Sequence, residues 1–206
     1  GRDMGRRSLH TADELRELII TASTDLIREF GLEGLSAREI ARQIDYSPGT
    51  IYNSFENLDD LVLTIEGRLL DSLADSLSDL PKTDDPRRRI HDLAARYFEF
   101  VKENPKLWNL LFEHHLSASR TVPDWYGEKI EQLIKKVEDA LMDLPGENKA
   151  SAAQSARVLW AAMHGISSLS TANKVSGVTA GRAEAMLEDF IGTYLAGLRA
   201  VTPSGS

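Results

Sequence analysis

The chain has 206 residues, 42% hydrophobic and 27% charged, with a net charge of −8 and no cysteine. The apolar fraction is ample for a core, yet no apolar run nears the roughly 18 residues of a spanning helix, and no basic segment followed by an apolar one marks a signal peptide, so a membrane protein is excluded. Without Cys there are no disulfides, thiol nucleophiles or Cys-type zinc sites, and the composition is compatible with the cytoplasm.

Ahead of the first predicted helix lie Arg2, Arg6 and Arg7. Arg6 and Arg7 read either as an arm for a DNA minor groove or as a solvated basic tail. Helix one opens on a capping box, Thr11 with Glu14, and closes at Gly31. Leu15, Ile19, Ala22, Leu26 and Phe30 recur at helical spacing. Ser36 to Phe55 then reads as two short helices joined by a tight turn. Ser36 and Glu39 form a second capping box, and Ile40, Ala41 and Ile44 a small packing face. Asp45-Tyr46 makes the turn, Ser47 caps again, and Pro48 takes the first helical position, where its missing N–H costs nothing.

Ile51 and Phe55 point inward, leaving Gly49, Thr50, Tyr52, Asn53 and Ser54 outside. A short polar second helix of this kind is the shape of a helix-turn-helix that fits a DNA major groove. Arg38 has five donors for a guanine edge, and helix three presents backbone N–H groups at its start. Gly49 keeps no side chain between backbone and DNA, the Thr50 and Tyr52 hydroxyls suit phosphate oxygens, and the Asn53 amide suits an adenine edge. Residues 1–62 carry seven Arg, no Lys and twelve acids, a net −5. Such a head has little non-specific affinity for nucleic acid; Arg2, Arg6 and Arg7, with Arg38 and Arg42, are the residues available to supply a local positive face, for a modest affinity with steep salt dependence.

The Ser36 cap, Arg38, Ile40-Ala41, Ile44, Ser47, Gly49-Thr50-Ile51-Tyr52, Phe55 and Leu61 resemble the TetR family of bacterial transcriptional regulators, closely over about residues 11–62. The resemblance implies that Arg38, Ser47, Pro48, Gly49, Thr50, Tyr52, Asn53 and Ser54 form the DNA-reading set. It implies a head over 10–57 and a ligand-binding and dimerisation body over 58–201. It also implies a homodimer on a palindromic double-stranded operator, released by a small-molecule ligand, with repression the commoner mode. One departure is Leu58, where relatives usually carry a phosphate-contacting Lys.

Helix four, Leu58 to about Asp79, carries the stripe Leu61, Ile65, Leu69, Leu73 and Leu77, and in the family it joins head to body. A break at Pro81–Pro86 precedes helix five (Pro86 to about Glu103), helix six (Pro105 to about Leu116, capped by Asn104) and helix seven (about Pro123 to Asp143). Helix eight spans about Ser151 to Asn173, and helix nine about Thr179 to Val201. The expectation is an all-α chain of about nine helices.

In the body, Trp160, His164 and Gly165 resemble the TetR subgroup named for its WHG residues, as does Asn104 to Trp108 with Leu111-Phe112. Tyr97, Phe98, Trp108, Phe112, Trp125, Trp160, Met163 and His164 are the candidate pocket lining, with Tyr126 beside them; each reads equally as core at helical spacing. Ala161, Gly165, Ser168 and Ala172 make a small-residue seam, and Leu187, Ile191, Tyr194 and Leu198 a facing stripe, for dimer packing or for packing within the chain. Glu113-His114-His115, with Glu99 or His91, is no metal site, because adjacent helical histidines diverge by about 100°. A surface or pocket-edge pair is expected instead. No cofactor is implied, and no nucleophile elbow, phosphate loop or H-E-x-x-H motif points to an enzyme. The rival reading is a helical ligand-binding or interaction protein whose helix-turn-helix is vestigial.

Overall fold

The computed structural model describes residues 10–172 and 174–201, the last three by backbone alone. Arg2, Arg6 and Arg7 lie outside the described residues. Among the described residues there are nine α-helices and no strand: α1 (Ala12–Phe30), α2 (Ala37–Ile44), α3 (Ile51–Ser54), α4 (Leu58–Ser78), α5 (Pro86–Glu103), α6 (Pro105–Glu113), α7 (Asp124–Met142), α8 (Lys149–Thr171) and α9 (Ala183–Val201). None is long and apolar enough to cross a membrane. The chain falls into two compact units, one of residues 1–68 and 106–121, the other of 69–105 and 122–206. Helix α4 contributes residues to both.

The first unit is built on α1. Thr11 accepts the Glu14 N–H at 3.1 Å while Glu14 accepts the Thr11 N–H at 2.9 Å, so the predicted box is complete. Gly31 ends the helix at φ 74°, a region that L side chains rarely adopt, with its N–H on the Ile27 carbonyl. Gly34 is required by space: a Cβ there would lie 2.4 Å from the Phe30 Cβ. Ile19, Ile27, Ile40, Ala41, Ile51, Phe55 and Leu61 are all at most 2% exposed. Each such aliphatic side chain removed from water contributes about 1.5–3 kcal/mol before chain entropy is set against it. Arg68 of α4 grips Glu17 of α1 in a two-pronged pair at 2.7 and 2.5 Å, which holds the Glu17 carboxyl below its usual range. Lys106 of α6 donates to the Glu29 carbonyl at the end of α1.

In the second unit α5 packs against α7, α8 and α9, α7 against α8, and α8 against α9. Ile90, Tyr97, Leu133, Leu141, Leu159, Ile191 and Leu195 form its core. Asp85 caps α5 through the Arg87 N–H, with Pro86 at its first position. Asn104 does not cap α6: its amide turns back to the Phe100 carbonyl at 3.0 Å and closes α5 instead. Helix α8 starts two residues earlier than the pattern suggests, because Asn148 and Ser151 cap each other, with Ser in the place where Glu or Gln is usual.

Candidate functional site

The helix-turn-helix begins on half a capping box. Ser36 accepts the Glu39 N–H at 3.1 Å, but the Glu39 carboxylate is held by Arg42 at 2.9 and 3.1 Å rather than reaching back. Asp45 makes the turn in the left-handed region, at φ 59° and ψ 46°, one of the few non-glycine residues that tolerate it. Ser47 was expected to cap a backbone N–H; its hydroxyl instead meets the Thr50 hydroxyl at 3.0 Å, and Pro48 to Thr50 form a 3₁₀ turn. The second helix is therefore a single α-turn, Ile51–Ser54, led in by that tighter turn.

This short element is fixed from beneath. Ile51 and Phe55 are 1% and 2% exposed, while Tyr52 is 52% exposed. Arg38, Ser47, Pro48, Gly49 and Asn53 are exposed, and Thr50 and Ser54 half-buried. A Cβ on Gly49 would meet nothing within 4 Å, so the fold itself makes no demand for glycine there. Arg16 of α1 donates to the Ser54 carbonyl at 2.8 Å and lies 4.2 Å over the Phe55 ring. That places a cation at the carbonyl end of the turn, where the backbone dipole favours it. Sequence reasoning missed Arg16, because its partners are nearly forty positions away. The Asp45–Tyr46 turn is tied to the start of α1 by His10 Nδ1 and the Tyr46 hydroxyl at 2.7 Å.

A second feature of the first unit concerns His114. Its Nε2 lies 2.9 Å from Asp59 and its Nδ1 3.3 Å from Glu66, both on α4, with Arg120 3.9 Å from Asp59. An imidazole donates to two carboxylates only as the imidazolium, and the Glu66 and Asp59 bonds accordingly raise the His114 pKa despite burial. Glu66 is 2% exposed, and burial raises its pKa, with His114 working against that. The expected surface pair is thus split: His115 is exposed, whereas the His114 side chain is only 7% exposed.

The second unit brings part of the predicted pocket set together. Tyr97, 1% exposed, sets its ring 5.2 Å from that of Trp160 and its hydroxyl 3.1 Å from His164 Nδ1. His164 Nε2 meets the Ser168 hydroxyl at 3.0 Å, and burial lowers the imidazole pKa. Met163 and Phe98 are buried alongside in sequence, and the Ser167 hydroxyl is buried without a hydrogen-bond partner among the described residues. Trp125 is 38% exposed and packs on Tyr126 at 5.8 Å. Trp108 and Phe112 fall in the first unit, the former buried and the latter 45% exposed.

The expected partner-facing stripe needs correction. Leu187 and Ile191 are 3% and 0% exposed within the chain itself. They face inward because the i, i+4 stripe of α9 continues to the buried Leu195. Tyr194 is half-buried, with its hydroxyl on Ser155 at 3.2 Å, and Leu198 is half-buried. Ala161 is exposed, and Gly165, Ser168 and Ala172 are half-buried, so the seam on α8 retains open surface.

An exposed polar face over a buried two-helix frame is a helix-turn-helix, the element that docks in a DNA major groove. Residues 19–65 match the family of bacterial regulatory proteins of the tetR type, and residues 90–194, more than half the chain, match the tetracyclin repressor-like C-terminal domain. The chain belongs to the TetR family of transcriptional regulators. Its fold is similar to that of a tetR-family transcriptional regulator from Streptomyces coelicolor (TM-score 0.69, 18% identity, covering 94% of this chain and 83% of that one). It is similar also to a TetR transcriptional regulator from Rhodococcus sp. RHA1 (0.64, 16%, 89% and 96%). A third is the fatty acid degradation regulator FadR from Bacillus halodurans (0.62, 16%, 88% and 98%).

Proposed function

We propose that this chain is a ligand-responsive, sequence-specific DNA-binding repressor that acts in the cytoplasm as a homodimer on a palindromic operator. The observation that carries the reading is the division of labour at residues 47–55. The two apolar positions are buried, Arg16 anchors the carbonyl end, and Gly49, Tyr52 and Asn53 stand exposed, with open space where a Gly49 side chain would be. Arg38 reads a base edge, Ser47, Thr50 and Tyr52 hold phosphates, and Asn53 and Ser54 set base preference. One head covers one half-site, so two heads at about one helical turn of DNA supply the selectivity that one lacks.

The head over 10–57 and the body over 58–201 divide these tasks, with α4, whose residues belong to both compact units, as the lever. The proposed ligand site centres on Tyr97, Trp160 and His164; Trp160 and His164, with Gly165, are the residues on which the likeness to the WHG subgroup rests. A ligand favouring one head spacing weakens DNA binding by the factor by which DNA weakens ligand binding. The proposed dimer face uses the α8 seam at Ala161, Gly165 and Ser168, with Tyr194 and Leu198 at its edge.

The test is selection of the purified protein on random duplex DNA at moderate salt, with Arg38→Ala in parallel. An enriched palindrome that the variant fails to enrich supports the reading. If nothing is enriched even at low salt, the helix-turn-helix is vestigial and function lies in the body.

A further inference from the structure

Around Leu80–Pro81–Lys82, which follows α4, the second unit has two open clefts of about 510 and 260 Å³ that share Leu80, Pro81, Lys82 and Asp92. Arg96 lines the larger and Lys136 the smaller, over apolar walls that include Leu77 and Leu93. Neither cleft includes Tyr97, Trp160 or His164, so the recess is separate from the ligand site proposed above.

The carboxylates of the recess already have cations. Asp139 is held by Lys135 at 2.7 Å, Glu99 by Lys102 at 3.3 Å, and Asp92 lies 3.9 Å from Arg88. Three of its cations have no carboxylate among the described residues. Arg96 donates to the Ser76 carbonyl at 2.9 Å, Lys136 to the Ser78 hydroxyl at 2.9 Å, and Lys82 has no described side-chain bond. They line two adjoining clefts that meet at Lys82, and two of them are already positioned by neutral groups. Positioning before binding lowers the entropy cost of capturing an anion.

The larger cleft alone has the volume of a small-molecule site. Three cations exceed what a single carboxylate neutralises, and guanidinium with ammonium groups is the donor set that suits phosphate oxygens. We infer that the recess binds a small organic phosphate, its charge among Lys82, Arg96 and Lys136 and its apolar body against Leu77, Leu80 and Leu93. It is a second effector site, independent of whether the head reads DNA.

The experiment is calorimetric titration of the full chain with naphthyl phosphate, naphthoate and inorganic phosphate at fixed ionic strength. Lys82→Glu and Lys136→Glu are titrated alongside, with thermal melting to confirm that each is folded. Saturable binding of naphthyl phosphate is expected, tighter than that of either comparator and weakened about tenfold or more in each variant. No saturation by naphthyl phosphate in the millimolar range overturns the inference, as does undiminished binding in both folded variants. Equal affinity for naphthoate overturns the phosphate assignment.

Discussion

In the first unit an imidazole lies between two carboxylates; in the second, another lies between a phenol and a serine hydroxyl. His114 is pushed up by its acidic partners and His164 down by burial, so charge is favoured on the one imidazole and disfavoured on the other. The same side chain does opposite work because the groups facing it differ in charge. His114 is a tether that ties the end of α6 to α4 by charge. His164 is a neutral donor and acceptor, suited to orienting a phenol and to meeting an uncharged or weakly polar ligand.

The largest effect that distinguishes the two is loss of the tether. His114→Ala leaves Glu66 buried without its cation and is expected to cost about 3–5 kcal/mol, read by urea denaturation on the acidic side of neutrality. A loss below about 1 kcal/mol, the worth of an ordinary neutral hydrogen bond, would mean that the pair holds nothing.

A smaller effect is the pH dependence, at most about 1.4 kcal/mol per pH unit for each proton. Because the folded His114 pKa is raised, its contribution is complete below the unfolded value of about 6.5 and fades as pH rises through the higher folded value. Glu66, also raised, leans the same way from its unfolded value of about 4.3 upward. His164 runs in reverse: its lowered pKa costs nothing above about 6.5 and destabilises as pH falls toward the folded value. Stability against pH should therefore lose the His114 share of its decline toward higher pH in His114→Gln, the Glu66 share remaining, and part of its acid-side decline in His164→Gln. Matching curves for the two variants would erase the contrast.

The smallest effect is Tyr97→Phe, which removes the phenol bond to His164 at a cost of about 1 kcal/mol. Operator affinity without ligand should be unchanged by it. A large fall in that affinity would place Tyr97 in the DNA-reading machinery rather than in the body.

What the sequence made legible were features that close within a few residues. The Thr11–Glu14 box, the Gly31 stop, the Pro48 lead-in and the inward pair Ile51 and Phe55 were all visible, because their partners lie within one turn. Choices among equivalent partners were not: Glu39 takes Arg42 rather than the Ser36 N–H, and Asn104 serves the helix behind it. Contacts across tens of residues, such as Arg16 with Ser54 and His114 with Glu66 and Asp59, leave no periodic trace. Periodicity also reports a stripe without saying what covers it, which is why Leu187 and Ile191 suited a partner as well as their own core.

The exposed face of residues 38–54 is proposed to read DNA by sequence. This is tested by the affinities of wild type and Arg38→Ala for the selected palindrome and for a scrambled duplex at the same salt. The variant should lose about 1–3 kcal/mol per half-site on the palindrome while binding the scrambled duplex almost as before. Equal affinity of the two proteins for the palindrome would contradict it.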